Sequence, residues 1–321
     1  MTFKILVPDN VDQKAIDILN GVDGLNVTAP GKMSRDDTLA VIASADALII
    51  RSATTADAEL LNLATNLKAI ARAGVGVDNV DLDVATANGV VVMNTPDGNT
   101  ISTAEHTFGL MLSLARQIPK AHGTMASGGW DRKKFMGVEL RGKTLGVVGF
   151  GRIGRALAKR AIAFEMDVIA YDPYIPADVA EDLGAKLVGM DELFAKADFI
   201  SLHTVITDET REMINATNIA KMKDGVRIIN AARGALINDA DLAEAIKSGK
   251  VGGAGLDVYH QEPPPAENPL IGLEGVVHTP HLAASTTDAQ VQVGVDAVQQ
   301  IIDGLTRGDY RNVVNPAVLE K

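Results

Sequence analysis

GKTLGVVGFGRIGRALAKRAIAFEMDVIAYDP, residues 142–173, contains the strand, turn and helix from which the rest of the architecture can be placed. Residues 144–148 are a short apolar run with β-branched members. Gly149, Gly151 and Gly154 follow, and residues 155–164 carry helical spacing. A buried parallel strand feeding a helix reads this way. In such a unit the chain turns at Gly149, and Gly151 omits the side chain that would hold a pyrophosphate off the backbone. Gly154 lets helix and strand approach, and the free N–H groups of the helix start face the anion. A second strand, 167–171, ends at Asp172, 18 residues beyond Gly154. That is the spacing at which a carboxylate meets an adenosine ribose. An acid there accepts hydrogen bonds from both ribose hydroxyls and repels a 2′-phosphate, and no Arg or Lys occurs between Asp172 and Lys186 to welcome one. The cofactor indicated is NAD rather than NADP. The competing reading, a glycine-rich turn without a nucleotide, leaves the register of strand, glycines, helix, strand and acid unexplained.

At 321 residues the chain exceeds the usual size of one domain, and its 46% apolar content is ample for two cores. A net charge of −11 repels nucleic acid and anionic membrane alike, so neither is expected as a partner. There is no cysteine, hence no disulfide framework and no thiolate chemistry. The N-terminus MTFKILVPDN enters a strand at once without a charged leader, and no apolar run approaches a membrane span. A soluble, cytoplasmic protein is the expectation.

Residues 3–7, 25–28, 47–50, 67–71 and 90–93 read as strands. Helical stretches at 12–19, 34 onward, 56–62 and 83–88 separate them, Ser34 serving as an N-cap with Asp36 and Asp37 behind it. This is a first doubly wound parallel unit, spanning 1–98. Open parallel sheets bind ligands beyond the carboxyl ends of their strands, where Arg51 and Arg72 stand with Ser52 and the Gly74-Val75-Gly76 backbone beside them. An anion-binding pair and two solvated loop arginines are both open on position alone.

An amphipathic helix is expected over 101–118, ending before Pro119, and then a looser segment over 120–141. That segment holds the only tryptophan, Trp130, and the basic cluster Arg132, Lys133 and Lys134 beside Phe135 and Met136. It suits a solvated loop, a counter-field for an anion, a lid or a subunit contact, and a dimerisation arm over 99–141 is the reading adopted. Six strands, at 144–148, 167–171, 185–188, 199–205, 226–230 and 255–259, make a second doubly wound sheet within a Rossmann NAD-binding domain over 99–285, and 276–278 is another strand near its end. A helix over 286–305 is expected to cross back onto the first domain, followed by a tail, 312–321, with little sheet character.

Three loops at strand ends carry the groups suited to moving a hydride from a secondary alcohol. NAARGALI offers Arg233, DVYHQEPPP offers Glu262 and HTPH offers His281. The hydroxyl proton must also leave, and His is the side chain that titrates nearest neutrality. A carboxylate such as Glu262 on its other nitrogen would fix the tautomer, and Arg233 would hold a substrate carboxylate bidentately. His106 lies in a helix and His278 in a strand, where core or contact roles are usual. His203 suits packing against cofactor, and His122 sits in the arm. His260 and His281 remain as candidates for the base, His281 favoured by its Pro-fixed loop at a strand end. No HExxH pair and no GxSxG elbow occurs, so neither a metal site nor serine hydrolysis is expected.

RSAT at Arg51, ARAGVGVDNVDLDVAT from Ala71, VMNTPDGNT from Val92, ARQIP at Ala115, RKKFMGVEL at Arg132, YDPY, NAARGALI, GLDVYHQEPP and TPHLAAST, together with the glycine-rich unit, resemble segments of the D-isomer-specific 2-hydroxyacid dehydrogenases over nearly the whole chain. The resemblance implies a Rossmann domain inserted in a flavodoxin-like substrate-binding domain, with the active site in the cleft. It implies Arg233, Glu262 and His281 as the catalytic set, which resolves the histidine choice. It implies NAD contacts at Val75, Arg152, Ile153, Asp172, Thr204, Ala231, Asp257, His281, Ala283 and Ala284. It also implies a small anionic substrate, 3-phospho-D-glycerate, held by Arg51, Ser52, Arg72 and Gly74, with Arg132 reaching a neighbouring subunit's site in a homodimer or higher homo-oligomer. Relatives acting on glycerate or hydroxypyruvate, and nicotinamide-sensing corepressors on the same fold, keep the same three residues. The three basic anchors favour a phosphorylated substrate, and no appended interaction tail speaks for a corepressor. The family pattern HLGAST reads HLAAST here, so Ala283 should tighten the loop under the nicotinamide. Longer members carry a C-terminal regulatory domain; this chain stops soon after VVNP, so serine feedback through such a domain is not expected.

Overall fold

The computed structural model describes residues 2–320, which form two units: 2–99 with 285–320, and 100–284.

The first unit is a five-stranded, all-parallel sheet. Its strands are β1 (Phe3–Leu6), β2 (Leu25–Thr28), β3 (Ala47–Ile50), β4 (Ala69–Arg72) and β5 (Val91–Asn94), in spatial order β2-β1-β3-β4-β5. Period-two alternation splits its core into two layers. Ala47 and Ile49 of β3 face one side with Ile5, Ala71 and Met93; Leu48 and Ile50 face the other with Leu6, Ile70 and Val92. Helix Thr287–Arg307 covers the first layer with Val293, Ala297, Val298 and Ile301, and it packs on β4 and on helix Gln13–Asn20. The chain's end thus returns to the unit in which it began. The tail departs from expectation. Val313 bridges Met93, and Asn315 accepts from Val92 N at 2.8 Å and donates to Val90 O at 2.9 Å. An Asn side chain there stands in for ladder hydrogen bonds and covers the open edge of β5.

The second unit holds β6 (Thr144–Val148), β7 (Asp167–Tyr171), β8 (Lys186–Leu187), β9 (Phe199–Leu202), β10 (Val226–Asn230), β11 (Val251–Leu256) and β12 (Val276–His278). They are parallel, in the order β12-β11-β10-β9-β6-β7-β8, so the direction of winding reverses between β6 and β9. Two sequence expectations need correction here. The strand expected at 255–259 is β11, which begins at Val251 and runs through three glycines. Side chains have no room: a Cβ on Gly252 would lie 2.6 Å from Gly225 O, and one on Gly253 2.5 Å from Gly275 O. Glycine's low strand propensity is overridden by backbone approach. The helix expected over 101–118 is Thr100–Ala115. Gln117 then turns left-handed (φ +52°) and a second helix, Ile118–Ala126, starts with Pro119 in its first turn, where no N–H is needed. Part of the supposedly loose segment is therefore helical. No helix among the described residues is long and apolar enough to cross a membrane.

Candidate active site

The carboxyl ends of β10, β11 and β12, three neighbours in one sheet, deliver Arg233, Glu262 and His281 on consecutive turns. His281 Nδ1 lies 2.6 Å from Glu262 Oε2, and Glu262 Oε1 accepts from Tyr259 N at 3.1 Å. Both carboxylate oxygens are thereby fixed. Nδ1 is the bonded nitrogen, which leaves Nε2 for a substrate proton. The two side chains are 52% and 37% exposed, open enough for a ligand to reach them. Arg233 sits on a turn closed by Asn230, whose amide donates to Arg233 O at 2.8 Å and accepts from Ala232 N at 3.0 Å. A Cβ on Gly234 would meet Tyr259 C at 2.0 Å, so the Arg233 turn lies backbone to backbone against the turn that carries Glu262. A general base with an oriented imidazole, beside a cation for a carboxylate, is a set suited to proton abstraction from a hydroxy acid.

The loop under His281 is organised by one residue, Asp257. Its main-chain oxygen accepts from His281 N at 2.8 Å, and its carboxylate accepts from Leu282 N at 2.7 Å and Ala283 N at 2.9 Å. Thr279 Oγ1 donates to Oδ1 at 2.5 Å, and His106 Nε2 lies 3.1 Å from the same atom. Burial alone would push this carboxyl's pKa up, but the bonds from His106, Thr279, Leu282 and Ala283 outweigh it and hold it below the ordinary range. Asp257, which the resemblance puts among the cofactor contacts, has a side chain 0% exposed whose oxygens are bonded to the loop. Ala283 is buried with its N–H in this network, and its backbone is not in the left-handed region that would demand the family's glycine.

The remaining histidines have other partners. His260 Nε2 bonds Ile237 O at 2.6 Å, which commits the alternative base to its own scaffold. His278 Nδ1 meets Tyr259 OH at 3.2 Å, and burial pushes its pKa down. His203 Nε2 lies 2.8 Å from buried Ser201 Oγ, and desolvation pushes its pKa down to about 4. His122 lies in helix Ile118–Ala126.

The glycine turn is built to receive a pyrophosphate. Gly149 has φ +91°, and a Cβ there would lie 2.6 Å from His203 O; one on Gly154 would lie 2.2 Å from Gly149 O. Both positions are closed to any side chain. Around Gly151, by contrast, nothing lies within 4 Å of where a Cβ would be, and it precedes helix Arg152–Ala163, with Ile153 in its first turn. An open backbone position at a helix start is the space an anion needs. Asp172 follows β7, its oxygens accepting from Phe150 N at 2.8 Å and Tyr174 N at 2.9 Å. Each oxygen keeps lone-pair capacity for a ribose hydroxyl. Thr204 and Ala231 follow β9 and β10, and Ala284 closes the His281 loop. These residues fit NAD.

In the first unit, Arg72 is paired in register with Ile50, so Arg51 and Arg72 leave neighbouring strands side by side. The Arg51 loop is clamped. Buried Asp9, just past β1, accepts from Arg51 N at 2.6 Å and Thr54 Oγ1 at 2.6 Å, while Asn79 donates to Arg51 O at 2.7 Å and Thr54 O at 2.6 Å. Ser52 is left exposed. The Arg72 guanidinium lies on Gly74, where a Cβ would fall 1.5 Å from Nη1, and Asn94 holds Val75 O at 2.7 Å. Arg132 is exposed in the short 3-10 helix Arg132–Phe135 of the second unit. Asp9, Asn79, Thr279 and Tyr259 are absent from the sequence reading, because each acts on a loop remote in sequence. Among the described residues no group of three or more His, Asp or Glu is placed to hold a metal ion.

Comparison with known proteins agrees with this geometry. Residues 108–283 match the model of the D-isomer specific 2-hydroxyacid dehydrogenase NAD binding domain. D-3-phosphoglycerate dehydrogenase of Archaeoglobus fulgidus is 49% identical over 317 residues, 99% of this chain and 60% of that protein. Hydroxypyruvate reductase of Thermotoga maritima is 45% identical over 305 residues, 94% of this chain and 98% of that one. Among solved structures, D-lactate dehydrogenase of Aquifex aeolicus complexed with NAD and lactic acid superposes with a TM-score of 0.81 at 28% identity, covering 97% of this chain and 99% of that one. The chain spans about 60% of the length of the curated phosphoglycerate dehydrogenases it matches. It belongs to the D-isomer specific 2-hydroxyacid dehydrogenase family.

Proposed function

We propose that this member of the D-isomer specific 2-hydroxyacid dehydrogenases oxidises 3-phospho-D-glycerate at C2 to 3-phosphohydroxypyruvate with NAD, the entry step of serine synthesis. The observation that carries the reading is the His281–Glu262 pair at 2.6 Å, which leaves Nε2 for the substrate hydroxyl. His281 takes the hydroxyl proton as the C2–H bond breaks, and Glu262 holds the imidazole and stabilises its charged form. Arg233 anchors the substrate carboxylate and polarises the oxygen that becomes a carbonyl. Held by the glycine turn and Asp172, NAD would supply the hydride acceptor for C2, so that the balanced products are the keto acid, NADH and the proton taken by His281. Arg51 and Arg72, with Ser52 and the Gly74 backbone, hold the anionic phosphate end, and Arg132 contributes to a neighbouring subunit's site in a homodimer. Exposed Met125, Trp130 and Met136 in the 100–141 segment support that last reading.

A second reading is favoured by the hydroxypyruvate reductase likeness, which covers nearly all of that protein. On that reading the same residues act on an unphosphorylated acid. NADH formation with NAD at mildly alkaline pH, measured in parallel with 3-phospho-D-glycerate, D-glycerate and D-lactate, tests both. Preference for the phosphorylated acid supports the proposal; equal or better use of the unphosphorylated acids overturns it in favour of the second reading.

A further inference from the structure

His106 is assigned no role by the reaction above, yet its ring reaches the residue that holds the catalytic loop. It sits in helix Thr100–Ala115, and its Nε2 lies 3.1 Å from Asp257 Oδ1 and 3.0 Å from Thr279 Oγ1. The directions of these bonds follow from their partners. The Thr279 hydroxyl donates its proton to Asp257 Oδ1, so its oxygen is an acceptor toward His106, and Nε2 must carry a proton shared between the two oxygens. The carboxylate is asymmetrically loaded: Oδ1 takes His106, Thr279 and Leu282 N, whereas Oδ2 takes Ala283 N.

Three successive amides, His281, Leu282 and Ala283, all end on Asp257. That matters because His281 is held at φ +55°, a left-handed conformation that is unfavourable for a non-glycine residue. The loop keeps this conformation only while its N–H groups have fixed acceptors. Asp257 has its main chain fixed by β11, but its carboxylate is free to rotate about its side-chain torsions unless something outside the loop grips it. Thr279 belongs to the same turn as His281 and would move with it. Among the donors to this carboxylate, His106 alone comes from a separate element.

We propose that His106 is a positioning residue: gripping Asp257 from the Thr100–Ala115 helix, it sets the backbone conformation that aims His281 Nε2 at the substrate. This rests on the reading of His281 as the base. The role is one of reach as well as of charge, which makes it separable from a packing role. A Gln amide extends about as far as imidazole Nε2 and can donate to Asp257, whereas an Asn amide stops near the Nδ1 position and cannot.

The test compares the full-length parent with His106→Gln, His106→Asn and His106→Leu. kcat and KM are measured with the acid the parent prefers, and NADH binding by fluorescence titration. Losing a donor to a buried charge should lower kcat about tenfold or more in the Asn and Leu variants. KM and the NADH dissociation constant should stay within about threefold, and the Gln variant should keep kcat within about threefold of the parent. Parental kcat in the Asn and Leu variants, an equal loss in all three, or a loss confined to KM would overturn the proposal. Should the Leu variant not fold, the Gln and Asn pair decides alone. A parallel His281→Gln variant keeps the two claims apart: if it turns over normally, the assignment of the base has failed, whatever His106 does.

Discussion

The half-buried His203 makes acid sensitivity of the second unit a quantitative expectation. Its pKa is pushed down to about 4 by desolvation, against 6.5 in the unfolded chain. Between those values the unfolded chain binds the proton and the folded one does not, so stability falls as the pH is lowered through that window and levels off below about 4. The full interval corresponds to about 3 kcal/mol, and the portion lost between pH 7 and pH 5 is about 2 kcal/mol. For a unit of this size that is a drop in Tm on the order of 5 °C. His203→Gln keeps a hydrogen-bonding group for Ser201 Oγ and does not titrate. Thermal melts followed by circular dichroism at pH 7 and pH 5 should therefore show the parent losing about 5 °C more than the variant, other acid-labile groups cancelling in the difference. Equal losses in parent and variant would refute the assignment of a neutral, desolvated imidazole.

Three further substitutions separate the parts of the site. Gly234→Ala places a methyl 2.0 Å from Tyr259 C and must push the Arg233 turn from the Glu262 turn; kcat should fall at least about tenfold with NADH affinity within about twofold, and an unchanged kcat would show that the contact is slack. Gly151→Ala meets nothing within 4 Å, so Tm should hold within about 2 °C while NADH binding weakens about tenfold or more; fluorescence titration beside a melt checks both. Asp172→Ala removes the acceptor of Phe150 N and Tyr174 N and the carboxylate that repels a 2′-phosphate; the preference for NADH over NADPH should narrow about tenfold, and an unchanged ratio would move that discrimination elsewhere.

The architecture was legible wherever a physical constraint acts on neighbouring residues. Strand, glycines and helix in 142–173 constrain each other locally, and β6 and β7 have the bounds read from sequence. Where the deciding contact is distant, the sequence misleads. Gly252 and Gly253 fall outside the strand read from sequence because the carbonyls of Gly225 and Gly275 that crowd them are far along the chain. The 312–321 tail looks unpaired because its partner, β5, lies more than 200 residues earlier. The candidate site divides in the same way. Arg233, Glu262 and His281 stand among the polar groups at strand ends, although His260 competes with His281 on position alone, whereas nothing local in the sequence shows that Asp257 holds the His281 loop or that His106 reaches it.

This division has a chemical reason. A group that meets substrate must be reachable, so it stands on a turn, and turns are the least constrained backbone in the fold. Three turns of the proposed site are tied down by a polar residue placed where water does not compete: Asn230 for Arg233, Asp257 for His281, Asp9 for Arg51. All three are buried. A buried polar side chain costs free energy unless its bonds are made, so it stabilises one loop conformation over all those that leave it unpaired. Replacing such a residue by an apolar one of similar volume would remove that discrimination while leaving the core filled. The loop would keep its place in the fold and lose its aim, which is why activity rather than stability is the sensitive readout for this class of residue.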